Sequence, residues 1–121
     1  FVAVTDPPND VHLNGKLTLG ENTADNGGLR VAHLALLDAL TGKRAEKIDG
    51  LTPSQRFFLA WGQVWCTNMS DEIARLMAQT NPHSTSKYRV NGVVQNMPEF
   101  AEDFACKPDR PMVATPACRV W

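Results

Sequence analysis

Residues 20–30 read Gly20-Glu21-Asn22-Thr23-Ala24-Asp25-Asn26-Gly27-Gly28-Leu29-Arg30, and whether this stretch is helix or turn decides the fold. Glu21 and Asp25 stand four positions apart. On a helix that spacing puts them on one face, one above the other. The same face continues through Gly28, Ala32, Leu36 and Ala39, which are small or apolar, so the two acids head a stripe expected to be buried. An unpaired buried carboxylate is costly and takes up a proton unless a cation lies beside it. One reading makes Glu21 a metal ligand and Asp25 the group that orients another ligand. The other makes both acids part of a solvated first turn, favoured by the positive end of the helix dipole. On spacing alone the second is the commoner case. The trio Asn26-Gly27-Gly28 marks turns, and pattern alone starts the helix at Leu29.

Outward from this stretch, residues 1–20 carry Pro7, Pro8, Asn9, Asn14 and Gly15 and read as an irregular lead-in. Thr41-Gly42 closes the first helix. Thr52-Pro53-Ser54-Gln55 is a helix start, with Thr52 as N-cap, Pro53 in the first turn and Gln55 completing a capping box. Phe58, Trp61 and Trp65 share a face of that helix and read as core. Ser70-Asp71-Glu72 opens another helix with Ile73, Leu76 and Met77 inward, ended by Asn81-Pro82. Residues 83–89 read as a loop leading to an extended piece at 88–90, and 91–95 as one helical turn. Asn96-Met97-Pro98-Glu99 caps a last short helix holding Phe100 and Phe104, and the proline-bearing tail from 106 to 121 is expected to be irregular. The class is mainly α, one unit with residues 21–105 helical, and without repeats or low-complexity tracts.

The chain has 121 residues, 43% hydrophobic and 21% charged, with a net charge of −1, which fits one soluble domain or part of a larger one. No run of Lys and Arg points to nucleic acid, and no apolar stretch is long enough to span a bilayer. The first residues lack the basic start and apolar core of a signal peptide, and the chain does not begin with Met, so it is expected to start inside a longer product. Cys66, Cys106 and Cys118 are an odd set, leaving at least one thiol without an internal partner. Asn68-Met69-Ser70 is a glycosylation sequon. His12, His33 and His83 are scattered, and His33 points away from the Glu21 face.

The segment around Glu21 and Asp25 resembles the zinc-ligand segment of the neprilysin-type metallopeptidases, relatives of the endothelin-converting enzymes within the thermolysin-like group. Gln63-Val64-Trp65-Cys66, Asn81-Pro82-His83-Ser84, Lys87-Tyr88-Arg89-Val90, Pro98-Glu99-Phe100 and Cys118-Arg119-Val120-Trp121 match the C-terminal end of that family in order and rough spacing, from about Asn14 to Trp121. Several blocks in series are far more specific than one short pattern. The resemblance favours the long helix over 21–40, whose glycines would let another helix approach closely.

The resemblance implies the C-terminal helical part of a catalytic domain that hydrolyses internal peptide bonds with zinc-activated water. By that resemblance Glu21 is the zinc ligand, and Asp25 accepts a hydrogen bond from the outer nitrogen of a zinc-bound histidine. His83 then stabilises the tetrahedral intermediate, and Arg89 binds a backbone carbonyl of the substrate. From the residues alone, His83 is an exposed loop histidine and Arg89 a solvated charge at a strand edge, while Asn22 and Asn26 are structural. His-Glu-x-x-His is absent, so the other zinc ligands are expected from the upstream remainder of the parent, and this segment alone is expected to be inactive. The family's matching cysteines form disulfides to upstream positions, which implies an extracytoplasmic parent, disulfide-linked to this segment. Where the family has an aspartate two positions before His83, this chain has Asn81, which predicts a weaker alkaline-side advantage for catalysis. The alternative is a non-catalytic α-helical binding or inhibitory domain on the same fold.

Overall fold

A computed structural model describes residues 5–6 and 11–120. Five helices carry the fold: α1 (Gly15–Leu40), α2 (Pro53–Val64), α3 (Asp71–Thr80), α4 (Ser86–Val94) and α5 (Pro98–Asp103). Two short strands, β1 (Thr5–Asp6) and β2 (Val11–His12), pair antiparallel ahead of them.

The long helix forms, and it starts earlier than the sequence suggests. Asn14 is its N-cap, its side-chain oxygen accepting from the Leu17 amide at 3.1 Å. Residues 15–20 are therefore helical, not irregular, and the strand pair also departs from the expected lead-in; residues 1–4 and 7–10 lie outside the described residues. The helix runs through Asn26-Gly27-Gly28 without a break. Glycine inside a helix costs about 1 kcal/mol relative to alanine, and burial on both sides offsets it: Asn26, Leu29, Arg30 and His33 are all buried. The buried face of α1 is thus Thr18–Asn22–Asn26–Leu29–His33, not the Glu21–Gly28–Ala32 face expected from the apolar pattern. Gly28 is exposed, and a β-carbon there would meet nothing within 4 Å, so it serves no close approach within the described residues.

Local signals worked well at α2. Thr52 and Gln55 close a reciprocal capping box and Pro53 occupies the first turn. Ser70 caps α3 by accepting from the Ile73 amide. Gly42, at φ +73°, follows the end of α1 in a conformation that suits glycine. On α3 the inward face is Ala78, with Met77 half-buried; Ile73 and Leu76 are exposed, contrary to the periodicity.

Residues 86–94 are helix α4, not the loop and extended piece expected there. Tyr88 and Val90 favour strand locally. The helix wins because it carries Val93 and Val94 into the core at 1% and 2% exposure. The expected turn at 91–95 is the second half of this helix. Met97, not Asn96, caps α5; the Asn96 amide instead donates back to the Gly92 carbonyl at 2.7 Å.

The core is Leu29, Phe58, Val93, Val94 and Met97, with Phe57, Trp61, Phe100, Phe104 and Met112 packed around it. Phe58 meets Phe100 edge to face at 5.4 Å and stacks on His33 at 5.0 Å. A polar tie crosses this core. Ser54 gives its only proton to Asp103, so the hydrogen between His33 and Ser54, 2.6 Å apart, belongs to His33 Nε2. Arg30 binds Glu99 at 2.9 Å and fastens α1 to α5.

Candidate active-site segment

Two pairs of side chains meet where α1 faces the start of α4. Glu21 lies beside His83, Oε2 to Nε2 3.1 Å, both about two-fifths exposed. One turn further along α1, Asp25 takes both oxygens to Arg89, which donates Nε–H at 2.6 Å and Nη2–H at 2.7 Å. The four residues singled out in the sequence therefore converge as two contacts. The helix-start explanation of the acids fails, since α1 begins six residues before Glu21 and the dipole acts within the first turn. Nor is Arg89 at a strand edge, because it sits on α4.

Between the two pairs, Asn22 and Ser84 hold α1 and the 81–85 turn together. Ser84 donates to Asn22 Oδ1 at 2.7 Å, and the Asn22 amide donates to Thr18 Oγ1 at 3.2 Å. Asn26 donates to the Cys118 carbonyl at 3.4 Å. Both asparagines are structural, as the sequence suggested.

Asn81 orients the His83 ring. Its Oδ1 accepts from the His83 amide at 2.8 Å, which identifies that atom as the oxygen. The same atom lies 3.0 Å from His83 Nδ1, so Nδ1 carries a hydrogen. Nε2 is left facing the Glu21 carboxylate, and that contact is favourable when the ring is the imidazolium.

Arg89 is fixed on further sides that the sequence did not reveal. Its guanidinium carbon lies 3.7 Å from the centre of the Trp65 ring, and its carbonyl accepts from Trp61 Nε1 at 3.1 Å. The aromatic face read as core is thus divided: Phe58 is core, while Trp65 walls the arginine. A cavity of about 210 Å³ is lined by Trp65, Met77, Asn81, His83 and Arg89, among others.

Among the described residues no group of three or more His, Cys, Asp or Glu side chains could hold a metal ion. Glu21 fits as a single oxygen donor: it is half-exposed, at the edge of the segment, beside a histidine and with Asp25 one turn away. Cys66 and Cys118 are exposed and Cys106 is partly so; all three are free thiols. No described helix is long and apolar enough to cross a membrane.

A helical segment of this fold is found in solved zinc metalloproteases. The chain belongs to peptidase family M13, whose model matches residues 1–120. It is 48% identical to Neprilysin-3 of Drosophila melanogaster over 113 residues, covering 90% of this chain and 14% of that protein. Endothelin-converting enzyme 1 of Bos taurus is 44% identical over 112 residues, covering 90% of this chain and 15% of that protein. A zinc metalloprotease of Mycobacterium tuberculosis solved with an inhibitor matches at a TM-score of 0.86 and 40% identity, covering 96% of this chain and 18% of that one. The Haemonchus galactose-containing glycoprotein complex matches at 0.86 and 34% identity, covering 97% and 20%. The mainly α fold is therefore that of the helical part of a zinc metallopeptidase, and the chain spans 14–16% of the length of the curated relatives it matches.

Proposed function

We propose that this chain is the C-terminal part of a zinc metalloendopeptidase that hydrolyses internal bonds of peptides. The observation that carries the reading is the pairing of Glu21 with His83 and of Asp25 with Arg89 at one junction, in a chain of family M13. Glu21 would hold one zinc ion together with ligands from outside this chain. Zinc, when bound, supplies a Lewis acid and an activated water.

The chain's own residues do the rest. Asp25 gives one lone pair of each oxygen to Arg89 and keeps the others to accept from the outer nitrogen of a metal-bound histidine. His83, held through Nδ1 by Asn81, would turn Nε2 from Glu21 to the oxygen on which charge develops once zinc holds that carboxylate. One such hydrogen bond lowers the barrier by roughly 3 kcal/mol. Arg89 uses two of its five N–H donors on Asp25; among the described residues the other three make no hydrogen bond, and they suit a substrate carbonyl. The upstream remainder of the parent is the partner of this segment, linked to it through Cys66, Cys106 and Cys118 in an extracytoplasmic compartment. Alone the segment is inactive. Nothing in the fold favours the alternative of a non-catalytic binding domain.

The test is Glu21→Ala in the full-length protein. Elemental analysis is expected to find zinc lost; retention of one equivalent rejects the assignment. Non-reducing electrophoresis should show this segment joined to its companion after proteolytic nicking, and free migration would reject the disulfide link.

A further inference from the structure

Asp25 holds the Arg89 guanidinium through two bonds in its own plane. Such bonds fix direction within the plane but leave the tilt of that plane open. The Trp65 ring, 3.7 Å from the guanidinium carbon, removes the remaining freedom, because a planar cation stacked on an indole must lie nearly parallel to it. The ring is braced in turn: Trp61 meets it edge to face at 5.6 Å and 73° while donating to the Arg89 carbonyl. Trp65 Nε1 is buried and has no hydrogen-bond partner among the described residues. Nor is the ring filler for the core, which ends at Trp61, and its neighbour Val64 is exposed.

We propose that Trp65 is a positioning residue, setting the angle at which Arg89 offers its remaining donors to a substrate carbonyl. This rests on the reading of Arg89 as a substrate-binding group. The experiment uses the full-length protein, selectively labelled with 15N-arginine, with the Arg89 Nε–H signal assigned by its loss in Arg89→Lys. Trp65→Leu is expected to move that signal by removing the ring current, and to raise KM for a peptide substrate about tenfold with kcat within about twofold. Trp65→Phe, which keeps an aromatic face, should restore most of the affinity, and zinc content equal to the unaltered protein certifies folding of both variants. An Arg89 signal unmoved in Trp65→Leu overturns the proposal whatever KM does, as does a Phe variant no better than Leu. A moved signal with KM unchanged in Trp65→Leu but raised in Arg89→Lys overturns the positioning role, and KM unchanged in both variants overturns it together with the substrate role of Arg89.

Discussion

Asp25→Ala tests whether the Asp25–Arg89 pair behaves as a buried ion pair. The two side chains are 10% and 14% exposed, and their bonds are 2.6 and 2.7 Å long. Exposed ion pairs contribute about 0.2–1 kcal/mol. Removing one partner of a buried pair costs about 3–5 kcal/mol, because the other charge stays behind uncompensated. With so little exposure and bidentate geometry the buried limit governs, reduced by the Trp65 face that still shields the cation. The expectation is about 3 kcal/mol for Asp25→Ala, or roughly a hundredfold at 1.4 kcal/mol per decade. Native-state hydrogen exchange, read by mass spectrometry on peptides from α4 in the full-length protein, suits a large chain that need not unfold in two states. Protection of α4 should fall by that factor. Arg89→Ala should fall similarly, and the double variant should lose about 2 kcal/mol less than the sum of the two. A coupling below about 0.5 kcal/mol would mean a solvated surface pair, and the argument from burial would be wrong.

Phe58→Ala should cost about 3–5 kcal/mol in denaturant unfolding of the same region, since Phe58 is 3% exposed and touches Phe57, Phe100, Phe104 and His33. Thr52→Ala should cost about 1 kcal/mol by loss of the capping box, seen as faster exchange in the first turn of α2. Ser54→Ala leaves His33 Nε2 and the Asp103 carboxylate oxygen without their shared partner and should cost about 1–3 kcal/mol in the same unfolding measurement. Asn81→Asp places a negative charge on His83 Nδ1–H and favours the imidazolium, so activity should persist to higher pH; superimposable pH–rate profiles would reject that role for position 81.

What could be read in the sequence was local. The capping box at Thr52 and Gln55, the Ser70 cap and the Thr41-Gly42 stop each depend on residues within a turn of one another, and each formed as read. The same kind of signal at Asn14 was present, but the prolines before it and the neighbouring Gly15 suggested loop. Hydrophobic pattern misjudged the buried face of α1 because that face is largely polar: Thr18, Asn22 and Ser84 satisfy one another, which no hydropathy scale registers. Helix α4 was hidden for the opposite reason, as Tyr88 and Val90 favour strand and only the burial of Val93 and Val94 selects the helix. The candidate site residues were legible through family resemblance and not through spacing. The Trp65–Arg89 stack joins side chains remote in sequence, and neither residue advertises the other.

Leu34 and Leu37 on α1, with Ile73 and Leu76 on α3, stand about half in solvent. Detached from the remainder of a parent enzyme, a polypeptide with such a surface would self-associate or be captured by chaperones. On the proposed reading, a protease cut ahead of α1 in the assembled enzyme would leave this piece held by the remainder. A band of its size on a denaturing gel would then record a nick, not a release, and activity could survive cleavage that appears destructive on the gel.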